Sequence, residues 1–194
     1  MLIKTIPVGQ LEENCYVVTN EATLESVVID PGDEANTILD YLESNKLKCT
    51  AIMLTHGHFD HVGGVRAIAQ ATACPVWMHE KDLTLRTAMT VAAPYYTDFY
   101  AEGDEVAVGS LRFLVMETPG HTPGSVCLLC ENTLFTGDTL FAGGCGRTDL
   151  GGNAQDMRRS LARLAAIREN YTVCPGHGAG STLEAERAGN PYLA

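Results

Sequence analysis

The segment that most constrains this chain of 194 residues is the heptapeptide THGHFDH at 55–61, which places three of the six histidines within six positions. It directly follows the apolar run at 50–54, which predicts a buried strand. Extended residues two apart point to the same side, so His56 and His58 can reach one ion from the strand end. Asp60 and His61 fall where a second ion can sit as the chain turns into a helix. Burying these groups together would be costly without a shared partner, and the segment therefore predicts metal binding.

Three further apolar runs end in a glycine followed by a ligand-type side chain. Loops at the carboxyl ends of strands are where α/β sheets bind ligands, so we expect these side chains to join the first group. The resulting set of imidazoles and carboxylates suits zinc, iron or manganese and not calcium. His79 has no metal-like neighbour in sequence and is predicted to be structural or exposed. The three added positions are Gly120-His121, Gly137-Asp138 and Gly176-His177.

Short apolar runs bounded by turn residues alternate with a few amphipathic stretches, which predicts one α/β-type domain. Helices are expected at 33–45, with Asp33 as its N-cap, and at 62–71 and 153–167. Strands are expected at 2–6, 16–19, 26–29, 50–54, 76–78, 111–116, 126–130, 133–135 and 171–174. No repeat, low-complexity tract or composition break indicates a domain boundary.

The charge balance argues against two classes of partner. With 24 acidic and 13 basic residues the net charge is −11, a field that repels phosphate backbones and anionic lipid heads. We therefore expect neither nucleic acid nor a membrane as a partner. The first 18 residues resemble neither a signal peptide nor a membrane span.

The seven cysteines are odd in number and widely spaced, which favours reduced thiols and a cytoplasmic location. Cys127 and Cys130 form a C-x-x-C pair within a predicted strand, where residues three apart point to opposite faces. Core packing is therefore favoured over a zinc or redox site for this pair.

Four motifs follow one another along the chain: His56-x-His58-x-Asp60-His61, TPGHTPGS at 118–125, TGDTLF at 136–141 and PGHG at 175–178. With these motifs the chain resembles the metallo-β-lactamase-fold hydrolases, and the resemblance covers essentially the whole chain. It implies the fold class, an α/β (α+β) protein built as an αββα four-layer sandwich. It also implies one such domain over 1–194, with a dinuclear site at one edge of the two sheets.

The resemblance also implies how the ligands are divided. One metal ion is expected on His56, His58 and His121, the other on Asp60, His61 and His177, with Asp138 bridging both. Asp60 and Asp138 are the expected catalytic carboxylates. Asp30, within VIDPG at 28–32, matches a position that supports the ligand loop from behind; a turn-capping aspartate is the alternative.

Two divalent ions at such a site can hold a bridging water and lower its pKa toward about 7, giving hydroxide at neutral pH. A thioester is a natural substrate, because its thiolate leaving group requires no strong general acid. Within the family the chain resembles glyoxalase II, the hydroxyacylglutathione hydrolases, in a short single-domain form. After Gly144-Cys145-Gly146 the lysine and tyrosine of that group are replaced by Arg147 and Asp149. Arg147 is expected to bind a substrate carboxylate.

Two other functions stay open. The GCGRTD run at 144–149 also resembles persulfide dioxygenases of the same fold, which use one iron held at positions matching His56, His121 and Asp138. A non-catalytic metal-binding module is the remaining alternative, and seven ligands for two ions argue against it. A true β-lactamase would be expected to carry an export signal. The acyl group, the thiol carrier, the metal and the oligomeric state stay open.

Overall fold

The structure, a computed structural model, describes residues 1–193. Its helices are α1 (Ala35–Ser44), α2 (Phe59–Val62), α3 (Val65–Thr72), α4 (Ala154–Ala165) and α5 (Leu183–Gly189), with a 3₁₀ helix at Glu80–Thr84. Its strands are β1 (Leu2–Val8), β2 (Glu13–Thr19), β3 (Glu25–Ile29), β4 (Lys48–Met53), β5 (Val76–Met78), β6 (Asp98–Phe99), β7 (Glu105–Val108), β8 (Leu111–Glu117), β9 (Val126–Cys130), β10 (Thr133–Gly137), β11 (Leu140–Phe141), β12 (Gly144–Cys145), β13 (Thr172–Pro175) and β14 (Ser181–Thr182).

The strands form two six-stranded sheets, ordered β1-β2-β3-β4-β5-β6 and β14-β13-β10-β9-β8-β7, and β11 pairs with β12. Strands β3 to β6 run parallel, as do β10 and β13. A backbone hydrogen bond of 2.9 Å from Val126 N to Thr55 O joins the sheets beyond the carboxyl end of β4. Another of 2.7 Å, from Asn14 N to Gly176 O, joins them beyond β13. The carboxyl ends of these strands therefore meet at one edge.

Alternating side chains create the layers. In the first sheet Val17 and Ile52 pack with the helix residue Ile38, whereas their neighbours Val18 and Met53 pack toward the second sheet. The second sheet repeats the pattern. Its inner residues, such as Phe113, Leu128 and Phe135, share the core between the sheets, and its outer residues pack on α4 and α5. The predicted αββα sandwich of the metallo-β-lactamase fold is confirmed.

Several local predictions need correction. The helix predicted at 62–71 begins only at Val65, as α3, and Val62 instead ends the separate helix α2. Gly63, between the two, lies so close to the Gly32 carbonyl that a Cβ would overlap it. Asp33 is not the N-cap of α1. Glu34 holds that position with a φ of 47°, and Asp33 Oδ1 instead accepts a hydrogen bond from Glu34 N. The strands β6, β7, β11, β12 and β14 and the helix α5 were not predicted.

The cysteine predictions agree with the structure. Cys127 packs in the outer core and Cys130 between the sheets, so the pair does point to opposite faces. All seven cysteines are free thiols. Within residues 1–193 no helix combines the length and the apolar composition that crossing a bilayer requires.

Candidate metal centre

All seven predicted ligands converge at the edge where the carboxyl ends of the strands meet. His56 and His58 follow β4, and Asp60 and His61 lie on the short helix α2. The other three follow β8, β10 and β13, and they are His121, Asp138 and His177. The backbone is crowded there: a Cβ on Gly176 would overlap the Asp138 carboxylate and the His61 ring. Glycine before His177 is thus required for the close approach.

His56, His58 and His121 form the first group, with one ring nitrogen of each lying within 4.8 Å of the others. Nδ1 of His58 is 2.8 Å from Nε2 of His121. All three rings are buried, and burial lowers the pKa of each because it penalises the charged form; the pKa of His58 falls to about 4. Three neutral imidazoles result, which is the form that binds a metal.

Asp60, His61 and His177 form the second group, and their ligand atoms also lie within 4.8 Å of one another. Oδ2 of Asp60 is 3.3 Å from Nε2 of His177 and 4.0 Å from Nε2 of His61. Burial opposes the charge on Asp60, but the neighbouring His177 and His61 together outweigh it and the pKa of the carboxyl is lowered. This group therefore provides an ionised carboxylate as well as imidazoles.

The Asp138 carboxylate lies between the two groups. Its Oδ1 is 3.4 Å from Nε2 of His61, and its Oδ2 is 3.4 Å from Nε2 of His121 and 3.8 Å from Nε2 of His177. Although burial opposes ionisation, the adjacent His61 and His121 lower the pKa of Asp138 to about 2. One ionised side chain thus presents an oxygen to each group, the arrangement required of a bridging ligand.

Hydrogen bonds behind the rings fix which nitrogen of each histidine faces inward. Carbonyl and carboxylate oxygens only accept, so the nitrogen bonded to them carries the proton and the other keeps its lone pair. His61 donates through Nδ1 to Asp30, His121 to the Arg147 carbonyl and His177 to the Leu11 carbonyl, at 3.0, 2.7 and 3.1 Å. His58 is reversed: Nε2 donates to the Leu150 carbonyl at 3.2 Å and Nδ1 faces the centre.

Buried polar atoms test whether this set fits a metal. Among residues 1–193, six buried side-chain N or O atoms have no hydrogen-bond partner, and four of them belong to predicted ligands. Leaving such atoms without a partner is costly, and they converge on one space. A nitrogen and oxygen donor set of this kind fits zinc, iron or manganese. The four atoms are His56 Nε2, His61 Nε2, Asp60 Oδ1 and Asp138 Oδ1.

Asp30 lies behind the ligands. Its Oδ2 accepts from His61 Nδ1, and its two oxygens accept from Thr55 N and Thr55 Oγ1 at 2.7 and 2.5 Å. Because the Thr55 hydroxyl donates to Asp30, its oxygen accepts from His56 Nδ1 at 3.1 Å, which turns His56 Nε2 inward. Asp30 thereby orients two histidines and touches neither ligand nitrogen that faces the centre.

Asp82 was missed by sequence reasoning. It is 4% exposed, and its Oδ2 accepts from Gly57 N at 2.8 Å and from Thr122 Oγ1 at 2.8 Å, while Oδ1 accepts from Gly124 N at 2.7 Å. It therefore ties the loop of His56 and His58 to the loop of His121. No sequence signal could have revealed it, because Asp82 lies in a charged run, EKD, that is typical of an exposed segment.

Glu13 was also missed. It is fully buried in β2, its carboxylate has no hydrogen-bond partner among residues 1–193, and Oε1 lies 3.7 Å from His61 Nδ1. Burial raises the pKa of Glu13 well above its usual value. His79, in contrast, is as predicted a structural residue: it is buried and its Nε2 lies 2.9 Å from Glu117 Oε1, away from the centre.

A cavity of about 540 Å³ opens onto both ligand groups. Its wall is apolar away from the ligands and is lined by Leu11, Met89, Phe141 and Leu150. Arg147 also lines it, but the guanidinium is exposed and holds Asp149 in a two-pronged ion pair at 2.7 and 2.6 Å. The predicted substrate-binding arginine thus lies at the mouth, already paired with a carboxylate.

Comparison with known proteins identifies the family of this chain. A profile described as the metallo-beta-lactamase superfamily matches residues 8–177. The hydroxyacylglutathione hydrolase GloC of Haemophilus influenzae is 31% identical over 209 residues, covering 100% of this chain and 98% of that protein. The hydroxyacylglutathione hydrolase of Chromohalobacter salexigens is 36% identical over 180 residues, covering 91% of this chain and 66% of that protein.

Solved structures are similar over the same extent. The B3 metallo-beta-lactamase BLEG-1 superposes with a TM-score of 0.90 at 35% identity, covering 100% of both chains. TTHA1623 in a di-iron-bound form gives 0.86 at 35% identity, covering 98% of this chain and 100% of that chain. ETHE1 from Myxococcus xanthus gives a TM-score of 0.82 at 31% identity, covering 98% of this chain and 84% of that chain. The similar proteins therefore differ in their names while sharing the fold.

Proposed function

Because this chain belongs to the metallo-β-lactamase superfamily, we propose that it is a metal-dependent hydrolase that cleaves a small acyl thioester, such as a hydroxyacylglutathione. The similarity to two hydroxyacylglutathione hydrolases supports the substrate class. We propose a cytoplasmic location as well, which the seven free thiols support.

The position of Asp138 carries this proposal. Hydrolysis by the expected mechanism needs two ions held side by side, and one carboxylate lies 3.4 Å from a histidine of each group. His56, His58 and His121 would hold one ion, Asp60, His61 and His177 the other, and Asp138 both. The similarity to a protein crystallised in a di-iron-bound form supports two ions.

Bound divalent ions would supply a hydroxide nucleophile at neutral pH and a Lewis acid for the substrate carbonyl. The protein supplies the rest. Leu11, Met89, Phe141 and Leu150 form an apolar wall that receives the acyl group and excludes water from it. Asp60 would hold the second ion through one carboxylate oxygen, and its other oxygen can accept a proton from the nucleophilic water. A thiolate leaving group requires no acid from the protein.

An iron-dependent persulfide dioxygenase is the second candidate, favoured by the close approach of His56, His121 and Asp138. Two histidines and one carboxylate are the ligand set that suits ferrous iron and oxygen. We place this candidate below the hydrolase, because a single ion on these three residues leaves the second ligand group of Asp60, His61 and His177 without an ion.

Assays on one preparation distinguish the candidates. Zinc-loaded and iron-loaded samples are tested for S-lactoylglutathione cleavage by absorbance and for oxygen uptake with glutathione persulfide. A chromogenic β-lactam is included, since BLEG-1 is named a β-lactamase. We expect thioester cleavage without oxygen uptake. Persulfide-dependent oxygen uptake by the iron form, with no thioester cleavage by either form, would contradict the proposal.

A further inference from the structure

A groove of about 740 Å³ runs beside the metal centre, between α4, the loop at 145–148 and the turn at 191–193. We propose that this groove binds the thiol arm of the thioester substrate, an elongated thiol with an anionic group at its far end. The proposal rests on the proposed thioesterase activity and adds a specificity site to it.

The groove adjoins the cavity over the metal centre. Cys145 and Arg147 line both spaces, so these two residues mark where the groove and the cavity meet. A thioester whose carbonyl lies among the ligands has two ends, and the apolar wall of the smaller cavity takes the acyl end. The thiol end must then leave past Cys145 and Arg147, and the groove is the space on that side.

The floor and the rim of the groove define the chemistry of the arm. Met157 and Leu161 provide a largely buried apolar floor from α4, one helical turn apart. Arg158 lines the groove next to them, and among residues 1–193 its guanidinium has no hydrogen bond or ion pair. In a chain of net charge −11, an exposed arginine without an acidic partner beside an apolar floor favours an anionic ligand with an apolar stem.

The neighbouring arginine on the same helix provides a matched control. Arg159 donates to Asp156 Oδ1 at 2.7 Å and does not line the groove. Arg158 and Arg159 have the same side chain and adjacent positions on α4, and differ in whether they face the groove. A general loss of positive charge would affect both variants alike, whereas an arm bound in the groove depends on Arg158 alone.

Carboxylate and phosphate are both chemically suitable anions for Arg158, so the probes cover both. They are S-lactoylglutathione, which ends in carboxylates, lactoyl-coenzyme A, which carries phosphates, and the neutral S-lactoyl-N-acetylcysteamine. For each, KM and kcat are measured on the metal-loaded wild type and on the R158A and R159A variants. The readout is the ratio of the anionic KM to the neutral KM, which separates binding of the arm from the chemical step.

We expect R158A to raise this ratio about tenfold for the thioester whose anion it binds, the size expected for one charge-assisted hydrogen bond. R159A is expected to leave the ratio within about twofold. A second variant, A162W, fills the groove from an exposed position of α4 and should raise both anionic KM values. If the ratio rises for S-lactoylglutathione, the arm ends in a carboxylate; if it rises for lactoyl-coenzyme A, the arm ends in a phosphate.

Two failures are distinguishable. If the wild type cleaves none of the three thioesters, the proposed function is overturned together with the arm that depends on it. If it cleaves them and the R158A and R159A ratios agree, or A162W leaves the anionic KM values unchanged, thioesterase activity stands and the groove proposal is overturned.

Discussion

Asp82 and Asp138 are both buried carboxylates at the same edge of the sandwich, but their surroundings differ. Asp82 accepts three hydrogen bonds, from two backbone N–H groups and one hydroxyl, whereas Oδ1 of Asp138 has no hydrogen-bond partner within residues 1–193 and faces histidines. Burial raises the pKa of Asp82, while His61 and His121 overcome burial and lower that of Asp138 to about 2. The polypeptide thus provides hydrogen bonds to both oxygens of Asp82, whereas Asp138 keeps one oxygen available to a metal ion.

The two carboxylates therefore serve different purposes at the same edge of the sandwich. Asp82 braces the loops that carry the ligands, and its contribution is to the stability of the fold. Asp138 contributes an ionised carboxylate to both ligand groups of the candidate metal centre. Substitutions should therefore affect different measured quantities in the two places, and this gives ways to test the comparison.

The largest effect is expected for Asp138→Ala. Because this carboxylate serves both ligand groups, its loss should remove both ions cooperatively and reduce hydrolysis by more than about 100-fold, the upper range for residues that only support ligands. Metal content after gel filtration, measured by mass spectrometry, checks this. The exposed Asp40→Ala variant is the control and should retain both ions. Retention of two tightly bound ions by Asp138→Ala would refute the bridging assignment.

A large effect of another kind is expected for Asp82→Ala, which leaves the N–H groups of Gly57 and Gly124 without their acceptor and removes one hydrogen bond of the Thr122 hydroxyl, whose other partner is Ser125. The free energy of unfolding of the metal-free protein should fall by about 3 kcal/mol, and by less for Asp82→Asn, which keeps one acceptor. Urea unfolding checks this, with the exposed Glu80→Ala as the control. The comparison fails if Asp138→Ala destabilises the metal-free protein as much as Asp82→Ala does.

A smaller effect is expected for Asp30→Ala, because Asp30 orients His61 and His56 without facing the ions. Metal affinity should fall about 10–100-fold, with activity recovering at saturating metal. Competition against a chelator measures the affinity. An unchanged affinity would make Asp30 a turn-capping residue only, and a loss as complete as for Asp138→Ala would make it equivalent to a ligand.

The contrast also explains what the sequence could predict. The seven ligands were accessible because they lie in four short segments that each come after an apolar run, and the carboxyl ends of strands are where α/β sheets bind ligands. Asp82 and Glu13 were not, since their burial depends on packing between segments distant in sequence: Asp82 meets Gly57 and Gly124, and Glu13 meets His61. The break between α2 and α3 has the same origin, the contact of Gly63 with Gly32.

The smallest effect is expected at the mouth of the site, where the carboxylate of Asp149 is exposed and paired with Arg147. Exposed pairs contribute at most about 1 kcal/mol, so breaking this one should not affect stability. If Arg147 binds an anionic substrate, Asp149 competes with that substrate for the guanidinium. Asp149→Ala should then lower KM for an anionic thioester a few-fold, whereas Arg147→Ala should raise KM by more than it lowers kcat. Steady-state kinetics on both variants measures this. Opposite shifts in KM at unchanged melting temperature would support competition; an unchanged KM with a lowered kcat for Arg147→Ala would instead assign Arg147 to stabilising the transition state.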